Sequence, residues 1–180
     1  MQLKFADDNL LIEGEKVKLT VVPKGATLKN PADIVLSFDA LKADGFVISE
    51  PGEYEVKDVF IYALPLAGKN VELFSINLDA VTVVFIPGHI KEIPKTILDE
   101  LGIDDVLVMD MSGLTTDLSD HLSLSEDFDP TMLIPVRADT EMLTKIASEL
   151  GVQLPERVNK LKISSSDFES EEQSLQLVVL

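Results

Sequence analysis

The 180 residues carry 15 Lys and Arg against 32 Asp and Glu, a formal net charge of −17 at pH 7. An acidic protein of this kind repels nucleic acid and anionic membrane surfaces, so neither is expected as a partner. The absence of cysteine excludes disulfides, thiolate metal sites and a cysteine nucleophile. Hydrophobic residues make up 46% of the chain, enough for a sizeable core, and we expect one domain spanning residues 1–180.

The N-terminal segment Met1–Asp8 has no basic region followed by an apolar stretch, so it does not resemble a signal peptide. Every apolar run is also shorter than the ~18 residues that a membrane span needs. Together with the missing cysteines, these features predict a cytoplasmic protein.

The first two-thirds of the chain read as short strands. Val17, Leu19 and Val21 alternate with polar residues, a period of two that is typical of a strand. Glu13-Gly14-Glu15 separates this run from Leu10–Ile12 and indicates a hairpin. The other predicted strands are Ile34–Leu36, Phe46–Ile48, Tyr54–Val56, Val59–Leu64, Glu72–Leu78 and Val81–Ile86. Their close spacing and tight turns predict an antiparallel meander.

In the last third, predicted strands and helices alternate. One helix is expected from Ile93 to Leu101, ended by Gly102, and another from Thr140 to Leu150, capped by Asp139. The polar stretch Ser112–Asp129 is expected to be a loop with at most a short helix. Strands are predicted at Asp105–Met109, Met132–Ile134, Val158–Ile163 and Gln176–Leu180. This order favours an α/β or α+β domain with helices outside stacked sheets.

Histidine is scarce, with only His89 and His121. His89 follows Pro87-Gly88 directly after an apolar strand, and His121 lies in an acidic stretch. Two histidines with Asp110 or Asp120 would be a conceivable metal site. The sequence contains no HxH, HxxxH or HExxH motif, so we interpret both as ordinary surface or loop histidines. It also lacks a GxSxG elbow and a glycine-rich phosphate loop.

The most distinctive segment is Pro51–Val59, in which Pro51-Gly52 predicts a turn and Tyr54 and Val56 then share one face of a strand. This segment closely resembles a motif of small metallo-β-lactamase-fold proteins, often named zinc-dependent hydrolases. Four other segments are similar to the family in the same order, namely Ala32–Ser37, Gly102–Val108, Pro130–Pro135 and Leu175–Leu180. The resemblance implies a metallo-β-lactamase-like four-layered αββα sandwich, reduced in size.

The chain departs from this family where the metal ligands belong. The family carries an HxHxDH loop after the first matching strand, but here Ser37 is followed by Phe38-Asp39-Ala40. Arg137 stands about where a later histidine ligand is expected, and His89 lies near the place of the bridging aspartate. We therefore assign no catalytic residue, metal ligand or cofactor. The candidates for a vestigial cleft are Ser37, Asp39, His89 and Arg137.

Three functions remain open. The first is a non-catalytic protein that has lost its zinc site and serves as a binding, scaffold or regulatory module. The second is a hydrolase with a rebuilt site around His89, Asp39 and Arg137. The third is a structural subunit that assembles with its own copies or with a catalytic partner. We expect Arg137 to pair with Asp39 or another loop carboxylate, or else to bind an anion.

Overall fold

The computed structural model describes residues 1–101, 105–114, 117–169 and 174–180. The predicted helix end at Gly102 and part of the segment Gly102–Val108 lie outside the described residues. In chain order the strands are β1 (Gln2–Ala6), β2 (Asn9–Glu13), β3 (Lys18–Val22), β4 (Ile34–Ser37), β5 (Phe46–Ile48), β6 (Gly52–Val56), β7 (Val59–Leu64), β8 (Leu73–Leu78), β9 (Val81–Ile86), β10 (Val106–Asp110), β11 (Met132–Val136), β12 (Leu161–Lys162) and β13 (Gln176–Leu177).

In the described ranges three α-helices accompany these strands, α1 (Lys95–Leu101), α2 (Leu118–Phe128) and α3 (Thr140–Glu149), with a 3₁₀ turn at Ser165–Phe168. Asp139 caps α3 as predicted, because its carboxylate accepts the Met142 N–H at 2.8 Å. None of the helices in the described ranges is long and apolar enough to cross a bilayer.

The first sheet has the strand order β12-β1-β2-β3-β4-β5. Strands β1, β2 and β3 are antiparallel, and Leu10 faces Val21 in the predicted hairpin. Strand β1 was not predicted, although Leu3 and Phe5 alternate with polar residues there. Strands β3, β4 and β5 are parallel rather than antiparallel, because longer connections separate them.

The second sheet has the order β13-β11-β10-β9-β8-β7-β6. Strands β6 to β9 form the predicted antiparallel meander. Strands β9, β10, β11 and β13 are parallel. The carboxyl ends of β9, β10 and β11 therefore meet at one edge of the sheet. We call this edge the carboxyl edge. It comprises Asp110, the last residue of β10, and the residues that follow the three strands, namely Pro87–Ile90, Met111-Ser112 and Arg137.

Two apolar clusters hold these layers together. The first joins the two sheets, and it contains Leu10, Ile12 and Leu19 of the first sheet together with Phe74 and Phe85 of the second. The other lies between the second sheet and the three helices. Burial of these side chains supplies the main favourable term in folding, at roughly 25 cal/mol per Å² of apolar surface.

Among the described residues it is a loop that covers the outer face of the first sheet at β2 and β3. The Asn9 side chain donates to the Thr27 carbonyl at 3.2 Å and accepts the Lys29 N–H at 3.1 Å. The Thr20 hydroxyl donates to the Asn30 carbonyl at 2.9 Å. The outward-facing polar groups of β2 and β3 thus pair with the backbone of residues 27–30. The sandwich is confirmed in a reduced form, with this loop in the place of one outer layer.

The acidic stretch Ser112–Asp129 was the least accurate prediction, because most of it is the 11-residue helix α2. Its inward face carries Leu122, Ser125 and Phe128 at helical spacing. The packing of this face onto the second sheet stabilises the helix. The predicted closing strands are shorter than expected, since β12 and β13 span only two residues each.

Candidate functional site

The carboxyl edge is built by three apolar strands that are buried on both faces. Met109 pairs with Pro135 and Asp110 with Val136, so the residues that follow β10 and β11 emerge side by side. Ligands of parallel α/β sheets bind outside the carboxyl ends of the strands. The polar residues at and just beyond the carboxyl ends of these strands are therefore the candidate site.

Asp110 and Arg137 form a bidentate ion pair across the carboxyl edge. The Arg137 Nε donates to Asp110 Oδ1 at 2.9 Å, and Nη2 donates to Oδ2. The Asp110 side chain is only 2% exposed and that of Arg137 is 17% exposed. Asp110 also accepts the Ser112 N–H at 2.9 Å. The carboxylate that meets Arg137 is thus Asp110, and Asp39 binds elsewhere.

Arg137 adopts a left-handed backbone conformation, with φ of 54°. The other non-glycine residues with positive φ in the described ranges are the hairpin pairs Asp7-Asp8, Lys57-Asp58 and Asp79-Ala80 and the helix cap Asp129. Arg137 belongs to neither group, and its conformation costs about 1–2 kcal/mol for an L-residue. The ion pair with Asp110 holds the side chain in place despite that cost.

Gly88 lets the loop after β9 press directly against the end of β10. A Cβ atom on Gly88 would lie 2.3 Å from the Ser112 carbonyl oxygen and 2.5 Å from that of Asp110. The neighbouring His89 is half-buried, and this burial lowers its imidazole pKa, as does the positive charge of Lys24. Burial therefore favours the neutral imidazole beside the ion pair.

The interpretation of His121 as a surface or loop histidine was wrong. His121 lies on α2 and is fully buried. Its Nδ1 is 3.3 Å from the Ile90 carbonyl oxygen, and among the described residues its Nε2 has no hydrogen-bond partner. Burial lowers its pKa, against the smaller opposing effects of the Ile90 carbonyl and the Asp110 charge. The helical spacing of Leu118, Leu122 and Phe128 was the signal that could have placed it.

Ser37 and Asp39 lie at the end of β4, in the first sheet. The Ser37 hydroxyl donates to the Asp39 carbonyl at 2.8 Å, and the Asp39 carboxylate accepts the Gly25 N–H at 2.9 Å. Arg137 Nη1 reaches the Lys24 carbonyl at 3.5 Å. The turn at residues 23–26 thus contacts both Asp39 and Arg137, and each of these side chains has its own partner.

These residues do not fit a dinuclear zinc centre. Such a site needs several nitrogen and oxygen ligands around each ion. Both oxygens of Asp110 are held by Arg137, and the arginine adds a positive charge that repels a metal cation. Within the described parts of the chain, no three His, Cys, Asp or Glu side chains are grouped so that they could hold a metal ion.

Solved structures share this arrangement of sheets and helices. A proposed zinc-dependent hydrolase of the metallo-β-lactamase superfamily from Thermotoga maritima superposes with a TM-score of 0.73, covers 100% of both chains and is 20% identical in sequence. The chain has the metallo-β-lactamase fold. A proposed metal-dependent hydrolase from Parabacteroides distasonis covers 84% of this chain and 90% of its own, with a TM-score of 0.58 and 16% identity.

The metallo-β-lactamase fold protein YhfI from Bacillus subtilis is also similar, with a TM-score of 0.55 and 10% identity over 97% of this chain and 89% of that protein. A scan against protein-family models finds no match. A search of curated proteins finds no match either. At these identities the likeness establishes the fold and leaves the function to the residues of the site.

Proposed function

We propose that this protein is a non-catalytic binding, scaffold or regulatory module with the metallo-β-lactamase fold. The observation that carries the proposal is the ion pair between Asp110 and Arg137 at the carboxyl edge. The resemblance puts Arg137 about where a histidine ligand of the metal is expected, and this arginine pairs with a buried carboxylate instead.

The chemistry of the donor set supports this function. Metal-assisted hydrolysis requires ligands that fix the ion, leave one position open and lower the pKa of a bound water to about 7. The Asp110 carboxylate is committed to Arg137, and the Nδ1 of His121 faces the Ile90 carbonyl. These contacts stabilise the edge, and among the described residues no three His, Cys, Asp or Glu side chains are grouped so that they could hold such an ion.

The alternative, a hydrolase with a rebuilt site around His89, Asp39 and Arg137, is less well supported. Arg137 binds Asp110, and Asp39 binds the Gly25 N–H. An imidazole and a carboxylate that act together in acid–base catalysis need to reach one substrate group within hydrogen-bond distance. Arg137 and Asp39 are each committed to another partner, Arg137 to the Asp110 carboxylate and Asp39 to the backbone of the turn at residues 23–26.

The experiment is a hydrolysis assay on protein purified without chelators, with Zn²⁺, Mn²⁺ or Fe²⁺ added in turn. The substrates are p-nitrophenyl acetate, bis-p-nitrophenyl phosphate and a chromogenic β-lactam, which sample ester, phosphodiester and amide bonds. We expect rates equal to those of heat-denatured protein. A rate above that control would overturn the proposal if it also falls in both His89→Ala and Asp39→Asn. That result would favour the rebuilt hydrolase site.

A further inference from the structure

Strand β6 is the last strand of the second sheet and pairs only with β7 among the described residues. In an edge strand, alternate backbone N–H and C=O groups point away from the sheet and can pair with another chain. Strands β7 and β8 separate β6 from the carboxyl edge. The free edge of β6 is thus a surface distinct from the candidate site.

The two faces of β6 differ in chemistry. Tyr54 and Val56 pack towards the core between the sheets. Glu53 and Glu55 are exposed on the other face, opposite Tyr62 and Phe60 of β7 in the ladder. The Phe60 side chain is 49% exposed. Together the strands line a groove of about 320 Å³ with the residues Glu53, Tyr54, Glu55, Phe60, Ile61 and Tyr62.

This groove matches a cationic side chain. An ammonium or guanidinium group is attracted to the face of an aromatic ring, and it pairs with carboxylates beside the ring. Phe60 and Tyr62 supply the rings, and Glu53 and Glu55 supply the carboxylates. The formal net charge of −17 would also speed the encounter with a basic partner.

A second copy of the chain is a poor occupant of this edge. Antiparallel pairing of two β6 strands about Tyr54 would place Glu53 of one copy opposite Glu55 of the other, at both ends of the pair. Like charges directly opposite each other destabilise a strand pair. The alternation of carboxylates along β6 therefore disfavours self-pairing and suits a strand that carries basic residues at alternate positions.

We propose that the free edge of β6 binds an extended basic segment of a partner protein, which adds to the second sheet as one more strand. Main-chain hydrogen bonds to β6 give affinity, and alternate Lys or Arg side chains enter the groove beside Phe60 and give specificity. This inference rests on the proposed binding role and names its partner.

The test uses a fluorescent nine-residue peptide in which Lys or Arg alternates with Val, and a scrambled peptide of the same composition with its basic residues contiguous. Fluorescence anisotropy at roughly 0.15 M salt limits non-specific charge attraction. We expect the alternating peptide to bind at least about fivefold more tightly than the scrambled one, and hydrogen exchange of the amides of residues 52–56 to slow in its complex. Equal binding of the two peptides, or no binding, would overturn the proposal.

Matched variants distinguish the effect of the groove carboxylates on peptide binding from the effect of the protein's net charge. Glu53→Gln with Glu55→Gln should weaken binding of the alternating peptide about fivefold or more, since both carboxylates that pair with its basic side chains are lost. Glu15→Gln with Glu92→Gln makes the same change in net charge at exposed positions elsewhere, and we expect less than a twofold effect. Equal weakening by both pairs of substitutions would contradict the proposal.

The two proposals can fail separately. Peptide binding is measured at β6, whereas hydrolysis and metal binding are measured at the carboxyl edge. A catalytic protein that also binds the alternating peptide would overturn the proposed function alone. An inactive protein that does not bind the peptide would overturn the β6 proposal alone.

Discussion

The Arg137 guanidinium holds both carboxylate oxygens of Asp110 across the ends of two parallel strands. Because the Asp110 side chain is only 2% exposed, removal of its partner would leave a buried, unpaired charge. Arg137→Ala should therefore lower the free energy of unfolding by about 3–5 kcal/mol, measured by urea denaturation. The control is Arg157→Ala, at an exposed position, which should change it by less than about 0.5 kcal/mol.

If Arg137 instead serves to bind an anion, the two variants should unfold alike. In that case inorganic phosphate would raise the melting temperature of the wild-type protein and have no such effect on Arg137→Ala. We expect the ion pair to dominate, so that Arg137→Ala is destabilised and phosphate has no specific effect on the wild type.

Gly88 is required by the close packing of the loop after β9. Gly88→Ala would place a Cβ atom 2.3 Å from a backbone oxygen of Ser112. Backbone cannot move aside as a flexible side chain can, so we expect a loss of about 2 kcal/mol or more. Gly68→Ala is the matched control, because the nearest atom to its Cβ would be 3.9 Å away. Equal stability of the two variants would show that the loop does not pack against β10.

Acidic pH should destabilise the protein through His121. Burial lowers the pKa of the folded imidazole below its unfolded value of about 6.5, so the unfolded state binds the proton more readily. The contribution of His121 to the free energy of unfolding is therefore complete above about pH 6.5. It is lost as the pH falls from about 6.5 towards the lower pKa of the folded state. His121→Gln should flatten this dependence when urea denaturation is repeated between pH 5.5 and 8.

His89 contributes to the same pH interval, because its pKa is also lowered, first by burial and then by Lys24. The single variants His89→Gln and His121→Gln should each reduce the slope of the free energy of unfolding against pH. The double variant should reduce it further. A wild-type slope that survives in the double variant would assign the pH dependence to other groups.

Gly52 begins β6 with φ of 158°, a backbone conformation that L side chains rarely adopt, so its role is both conformational and steric. A Cβ atom there would lie 3.3 Å from the Tyr54 ring. Gly52→Val should cost about 1–2 kcal/mol, and the cost should shrink in a Tyr54→Ala background. A double-mutant cycle measured by urea denaturation checks this, and additive effects would mean that Gly52 and Tyr54 do not constrain each other.

Local pattern predicted the strands that bury alternate or continuous apolar faces. The β2–β3 hairpin and the meander from β6 to β9 follow directly from such runs, and the cap of α3 follows from Asp139. The resemblance around Pro51–Val59 supplied the overall sandwich. The length of helix α2 was underestimated because its solvent face is acidic and its apolar face is narrow, so packing rather than composition decides its structure.

The site depends on contacts between residues that are distant in the sequence. Asp110 and Arg137 are 27 positions apart, and with 32 acidic residues in the chain no pattern singles out the one that meets the arginine. The loop that covers the first sheet is held by hydrogen bonds from Asn9 and Thr20, which leave no periodic signal. Such pairings follow from the register of the parallel strands and cannot be read from either segment alone.

The most direct test of the account is elemental analysis of protein expressed in metal-supplemented medium and purified without chelators. If Arg137 and Asp110 take the place of a metal centre, zinc, iron and manganese together should amount to far less than one ion per chain. One or two tightly held ions per chain, lost in His89→Ala or His121→Ala while the fold remains intact, would contradict it.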